Sequence, residues 1–248
     1  MWNNHAEPLS LEQLAEAAYF SKFHYARTFT QVTGTSPGRF LAAIRLFMGK
    51  QHLLETRASV TDITYRVGYN SLGTFTSRFT QSVGISPARY RFLARCGLPP
   101  LILPTPHLDH ATSTVTGHLQ FPPDAGPVRV YVGAFNTPVL AGFPQSCDIL
   151  DEPRPFRLHV TDGLWFIRAA AVAPHDAEPV PHIRLPRLIG SGSAIRARGG
   201  RMYRADVQLR TVTSIDLPVL LALPELDGTR SASAPAPPWP RRVPPRHG

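Results

Sequence analysis

The chain has 248 residues, 43% of them hydrophobic, and a formal net charge of +9, which allows a packed core in one large domain or two modest ones. No apolar run approaches the ~20 residues of a membrane helix, and Met1–His5 lacks the basic-then-apolar pattern of a secretory signal, so the expectation is a soluble, cytoplasmic protein with no membrane partner. Cys96 and Cys147 match no CxxC spacing, which excludes the common thiolate metal and redox motifs.

The charge is unevenly placed. Residues 1–98 carry a net +6, residues 99–228 a net −1 and the last twenty a net +4. Almost all of it is arginine, Lys22 and Lys50 being the lysines. A basic amino-terminal third is the footprint of a polyanion-binding domain, although on charge alone a solvated basic face is the simpler reading.

The first hundred residues contain an internal repeat. Ser10–Leu14 matches Ser59–Ile63 at an offset of 49, and Phe29-Thr30-Gln31 and Gly34–Pro37 match Phe79-Thr80-Gln81 and Gly84–Pro87 at 50. Ser10 with Gln13, and Ser59 with Asp62, have capping-box spacing. Leu11, Leu14, Ala15 and Ala18 in copy one, and Val60, Ile63 and Val67 in copy two, give a short helix an apolar stripe. After a break, Ser21 and Asn70 or Ser71 cap a second helix, which ends at Gly34 or Gly84. Ser36-Pro37 and Ser86-Pro87 then open another helix. Two successive helix-turn-helix units follow from this layout.

Within each second helix, Tyr25, Phe29 and Val32, and likewise Phe75, Phe79 and Val83, are expected to pack inward. The opposite faces present Phe23, Ala26, Arg27 and Thr30 in copy one and Gly73, Thr76, Ser77 and Thr80 in copy two. One such face is an ordinary solvated surface; two in parallel register suit entry into a DNA major groove. Pro37 to about Thr56 reads as one long helix, a stiff spacer between the units. Successive major-groove faces lie about 34–36 Å apart, so one chain can read an asymmetric site.

The ordered pattern Leu14-Ala15, Ala18, Ser21, His24, Arg27, Phe29, Gly34, Ser36-Pro37, then Val67–Ser71, Phe79, Gly84, Ser86-Pro87 and Tyr90-Arg91 resembles the AraC/XylS family of transcription regulators. The resemblance implies that helices near Lys22–Val32 and Ser71–Val83 enter adjacent major grooves of double-stranded DNA. It implies base contacts by Phe23, Ala26 and Arg27 in the first unit and Gly73 and Ser77 in the second, with Arg78 compensating nearby. Arg27 suits guanine, since its fork bonds two acceptors on one base. Lys22, His24, Thr74 and the amides near Ser36 and Ser86 are the phosphate contacts, which position without specifying.

Three departures from the family pattern stand out. Gly73 and Ser77 lack long side chains, which points the second unit toward shape, phosphate or methyl contacts. The family's leading helix before Leu9 is largely absent, which weakens the first unit or places the true start upstream. The DNA-binding part comes first, whereas the family more often places its sensor there, so a sensor role does not carry over.

Beyond this, residues 99–112 read as a proline-rich linker, with His107, Asp109 and His110 as a polar linker end in preference to a partial metal site. From residue 113 the period changes to two: Val115, Gly117, Leu119 and Phe121, then Val128, Val130 and Val132, then Phe156, Leu158 and Val160. Thr161-Asp162-Gly163 and Arg198–Arg201 are hairpin signals. The expected fold is therefore multidomain: an all-α double helix-turn-helix domain over 1–98, an all-β sandwich over 113–226 that faintly resembles transthyretin-like or carboxypeptidase-regulatory-like sandwiches, and a disordered Pro/Arg-rich tail over 227–248. Arg196, Arg198 and Arg201 read as turn solubility, Asp148, Asp151 and Glu152 as a loop surface, and Ser191 and Ser193 belong to no GxSxG elbow. No catalytic set, metal or cofactor is implied. The expected function is sequence-specific transcription regulation, the β domain acting as sensor of a small-molecule effector, dimerisation surface or contact to RNA polymerase. Non-specific nucleoid-type DNA binding, or an enzyme fused to the helical domain, are the alternatives.

Overall fold

The computed structural model describes residues 1–96, 112–137, 142–152, 154–173 and 185–221. Linker residues 99–111, including the His107–His110 segment, and the carboxy-terminal tail lie outside these residues.

Six helices come first: α1 (Leu11–Ala17), α2 (Lys22–Thr33), α3 (Pro37–Glu55), α4 (Val60–Arg66), α5 (Leu72–Val83) and α6 (Pro87–Cys96). Their ends follow the capping chemistry. Ser10–Gln13 and Ser59–Asp62 form reciprocal capping boxes, and Ser21, Ser36 and Ser71 accept from the amides of His24, Arg39 and Thr74. Gly34 and Gly84 close α2 and α5 at φ 74° and 99°, a conformation that costs a residue with a Cβ about 1–2 kcal/mol.

The two copies are packed unequally. In α5, Phe75, Phe79 and Val83 are fully buried, and Phe79 meets Tyr90 edge-on at 5.8 Å. In α2 nothing is fully buried; Tyr25 and Phe29 are half-buried, and Val32, expected inside, is 58% exposed. The reason is register. At the offset of 50 that aligns Phe29 with Phe79, the counterpart of Val83 is Thr33, not Val32. Thr33 spends its hydroxyl on the carbonyls of Phe29 and Thr35, and Val32 stands on the flank where copy two has Ser82.

Nine strands follow: β1 (Ser113–Gly117), β2 (Leu119–Gln120), β3 (Arg129–Phe135), β4 (Ser146–Leu150), β5 (Phe156–Val160), β6 (Gly163–Val172), β7 (Leu188–Ala197), β8 (Met202–Arg204) and β9 (Val207–Thr211). They form a three-stranded sheet, β5-β1-β8, and a six-stranded sheet, β2-β9-β7-β6-β3-β4. Both sheets contribute to one apolar cluster, with Val115, Phe156, Leu158 and Val160 from the smaller and Val130, Val132, Trp165, Ile167 and Val207 from the larger.

Neither expected hairpin forms. The turn at Thr161–Gly163 joins β5, which pairs with β1, to β6, which pairs with β3 and β7. The turn at Arg198–Arg201 joins β7 to β8, which pairs with β1. Turn chemistry fixes the reversal of the chain but not its partner. Because Leu158 and Trp165 enter the same core from different sheets, the chain crosses that core instead of pairing back. The alternation from Val115 to Phe121 continues past His118, where the chain passes from the smaller sheet to the larger, with Leu119 and Phe121 still packed on the shared core.

The outer face of the six-stranded sheet is covered as well. Val219 and Leu221 pack on Tyr131, Phe135, Ala170 and Val172, while Leu220, between them, enters the helical core beside Leu46 and Leu53. Extended chain projects alternate side chains to opposite sides, so this short strap belongs to both parts at once. Lys50 on α3 donates to the Leu220 and Leu221 carbonyls, each at 3.0 Å. At the end of α5 the Gly142 amide donates to the Ser82 carbonyl at 2.8 Å, and Phe143 lies so close over Gly84 that a β-carbon there would sit 2.8 Å from its ring. The helical part and the β part are therefore docked, which the reading of a separate sandwich on a linker did not anticipate.

Candidate nucleic-acid interface

The first unit's exposed face is built on α2. Ser21 caps the helix, and Lys22, Phe23, His24 and Arg27 project from its first two turns, all exposed. Phe23 is 77% exposed, and the Lys22 ammonium stacks over its ring at 5.4 Å while reaching the Glu12 carboxylate at 3.4 Å. Ala26 is half-buried. Among the described residues Arg27 makes no hydrogen bond or ion pair, so its guanidinium edge is open to a partner.

The sequence did not single out Tyr19 and Phe20. Tyr19 is 97% exposed and sits at φ 58°, a left-handed conformation in which the matching residue of copy two is Gly68. Phe20 stacks edge-on against His24 at 4.5 Å. The alignment of Tyr19 with a glycine was the available signal. It places an exposed aromatic at the corner of the turn, beside the amino end of α2.

On α5, Gly73, Thr74, Ser77 and Arg78 are exposed and Thr76 and Thr80 are half-buried. The Ser71 hydroxyl donates to that of Thr74 at 2.9 Å, and Thr80 returns its hydroxyl to the Thr76 carbonyl. Gly73 and Ser77 share one helix face. Arg78 stands about 100° round the helix from Ser77, on the side of Tyr69. Burial raises the Tyr69 phenol's pKa, and the nearby Arg78 guanidinium opposes that rise. Ser36 and Ser86 cap α3 and α6 through the amides of Arg39 and Arg89; with Pro37 and Pro87 carrying no N–H, the amides of Gly38 and Ala88 are the first-turn donors left without an intrahelical partner.

Asp148, Asp151, Asp206 and Asp216 of the β part are each paired with an arginine. Asp148 accepts both ends of the Arg154 fork at 2.7 and 2.9 Å, and Arg129 reaches Asp151 at 2.7 Å. Among the described residues no group of three His, Cys, Asp or Glu is arranged to hold a metal ion. The Arg198–Arg201 turn is held by the Gly199 amide on Asp162 and the Arg198 amide on the Tyr203 hydroxyl, a structural use of the glycines. Burial, with the Asp148 charge behind it, pushes the Cys147 thiol up to about 11, which removes it from nucleophilic chemistry at neutral pH. No helix among the described residues is long and apolar enough to cross a membrane.

Residues 14–92 match the model of a helix-turn-helix domain. MarA of Salmonella typhimurium is 30% identical over 105 residues, 42% of this chain and 83% of MarA. YobQ of Bacillus subtilis, an uncharacterised HTH-type transcriptional regulator, is 34% identical over 85 residues, 34% of this chain and 35% of YobQ. The bifunctional transcriptional activator/DNA repair enzyme AdaA of the same organism is 30% identical over 92 residues, 37% of this chain and 44% of AdaA. The chain thus spans well under two thirds of YobQ and AdaA. Among solved structures, the DNA-binding domain of AdpA, crystallised with a target DNA, is 30% identical, covering 39% of this chain and 88% of that one with a TM-score of 0.37. With a helix-turn-helix match over both repeats and most of MarA covered, the chain belongs to the AraC/XylS family of helix-turn-helix transcription regulators.

Proposed function

We propose that this protein binds double-stranded DNA in a sequence-specific manner and regulates transcription in the cytoplasm, α2 and α5 entering adjacent segments of the major groove. The observation that carries this reading is the pair of exposed faces, Phe23-Ala26-Arg27 and Gly73-Ser77, in equivalent positions on two capped helices. The 19-residue α3 between the units is about 28 Å long at 1.5 Å per residue, comparable to one turn of duplex. MarA and YobQ are named for resistance and regulation, which agrees with this role. Arg27 and Phe23 would read bases, and Arg78 would contact the flank of the second segment. Lys22, His24, Thr74 and the amides behind Ser36 and Ser86 would hold phosphates.

In this reading the chain divides into a DNA-binding part over 1–98, a connection over 99–112 and a β part over 113–226, the two sheets forming the layers of a sandwich. The β part acts as sensor or interaction module, with RNA polymerase or a small-molecule effector as its partner, and the protein is a regulator rather than an enzyme. The small side chains of Gly73 and Ser77 favour one second reading, binding without sequence preference.

Selection of genomic fragments by the purified full chain at physiological salt tests the proposal. Recovery of one motif with two parts about a helical turn apart supports it. Binding that recovers no motif and collapses steeply with added salt favours the non-specific reading.

A further inference from the structure

Residues 1–9, ahead of α1, are ordered by their own backbone. The Asn4 amide donates to the Met1 carbonyl at 3.3 Å, the Glu7 amide to the Asn4 carbonyl at 3.2 Å and the Leu9 amide to the Glu7 carbonyl at 2.8 Å. The segment wound in this way touches both helix-turn-helix units and the helix between them.

At its start, Met1 and Trp2 line one apolar cavity with Leu14, Tyr25 and Phe29 of the first unit. The Trp2 ring meets Phe47 of α3 edge-on at 5.8 Å, and Phe47 packs against the core of the second unit. The Trp2 indole N–H also reaches the Ser214 carbonyl of the β part at 3.4 Å. Further along, Arg45 of α3 holds the segment with two bonds. Its Nε donates to the His5 carbonyl and its Nη2 to the Glu7 carbonyl, each at 2.7 Å. Short charge-assisted bonds from one planar fork fix direction as well as distance. Between those two carbonyls, Ala6 lies against the turn of the second unit, where a β-carbon on Gly68 would sit 2.7 Å from the Ala6 oxygen.

The repeat supplies a comparison for this last contact. Gly68 sits at φ 85°, and its equivalent in copy one, Tyr19, adopts φ 58° with its side chain 97% exposed. The turn therefore carries a side chain where nothing covers it. At Gly68 the passing segment leaves no room for one.

The unequal packing of the units gives such a tie its use. Because α2 has no fully buried residue, little apolar surface of its own sets the orientation of the first unit on α3. A segment held by the first unit, the spacer and the second unit at once restricts that freedom.

We propose that residues 1–9 brace the two units at one relative orientation, with Arg45 as the positioning residue, and thereby set the spacing of DNA segments that the protein accepts. This rests on the reading of the helical part as a DNA-binding domain. One base pair added between the two segments moves the second by about 3.4 Å and turns it by about 35°. Two helices braced at one orientation cannot follow that change.

Arg45→Met removes both bonds and keeps the aliphatic stem, while Gly68→Ala pushes on the same segment from the second unit. Thermal melting should show both variants folded, and either alone decides the matter if the other unfolds. The unaltered chain should bind its selected fragment at least about tenfold more weakly once the two parts are one base pair further apart, whereas each variant should lose less than about threefold. An undiminished spacing penalty in a folded variant overturns the proposal. Nitroxide labels on Gln31→Cys and Gln81→Cys, exposed equivalents on α2 and α5, report the orientation without DNA in a chain that also carries Cys96→Ser and Cys147→Ser. Their single narrow distance distribution should broaden in each variant, and a distribution as narrow as that of the parent overturns the brace. If the unaltered chain selects no fragment, the DNA-binding reading fails and the label distances alone decide the brace.

Discussion

The Lys50 ammonium reaches the Leu220 carbonyl at 3.0 Å, joining the middle of the long helix to chain 170 positions later. The same ammonium bonds the Leu221 carbonyl and lies 5.6 Å from the centre of the Tyr90 ring. One side chain thus clamps the strap that belongs to both halves of the molecule.

Lys50→Met keeps the aliphatic stem and removes these charge-assisted bonds. It should destabilise the protein by about 2 kcal/mol, within the usual range for hydrogen bonds to charged groups. Leu220→Ala should cost about 2–4 kcal/mol as a buried truncation. Urea denaturation of both variants checks this, and an unchanged midpoint for both would mean the strap is not docked in solution.

The unequal packing of the two units predicts unequal sensitivity. Phe75→Ala, at a fully buried ring, should cost about 3–5 kcal/mol. Phe29→Ala, at a half-buried ring that meets Phe40 edge-on at 5.4 Å, should cost about half as much, since less apolar area leaves water. Thermal melts of the pair decide it; equal losses would contradict the asymmetry.

Asp216 should make the docked strap acid-sensitive. Its hydrogen bond with Arg210, helped by the Thr213 amide and hydroxyl, holds its carboxyl at about 2 against an ordinary 3.8. Because the folded pKa is the lower one, the stabilisation is fully present above pH 4 and is lost as pH falls from about 4 to 2. Arg210 is more than half exposed, so solvent screening reduces the contribution to about 1 kcal/mol. Asp216→Asn should remove it at neutral pH and flatten the stability profile over that acid window, as denaturation at pH 5 and pH 2.5 would reveal.

Arg27→Ala should weaken specific DNA binding by about 1–3 kcal/mol and relax the preference at one base pair. Lys22→Ala should weaken binding to all sequences alike and lower the salt dependence, since a phosphate contact carries no sequence information. A site-library selection with each variant separates the two roles, and unchanged selectivity for Arg27→Ala would remove it from base readout.

Much of the helical part was legible from residue order because its determinants are local. Ser10, Ser59 and Ser36 cap helices within three residues of themselves, Gly34 and Gly84 end them, and Pro37 opens the long one at the expected residue. The exposed faces of α2 and α5 follow from the same period. What residue order left open were relations between distant segments. Turn signals at Asp162-Gly163 and Gly199-Gly200 specify reversal, but only the shared core decides that β5 and β8 leave their sequence neighbours to pair with β1. Val32 lies close to the apolar stripe on a helical wheel, but the neighbours packed on α2 leave it outside. Leu220, Lys50, Gly142 and Phe143 carry no local signal for docking, because the free energy of that interface comes from surface buried between segments far apart in the chain.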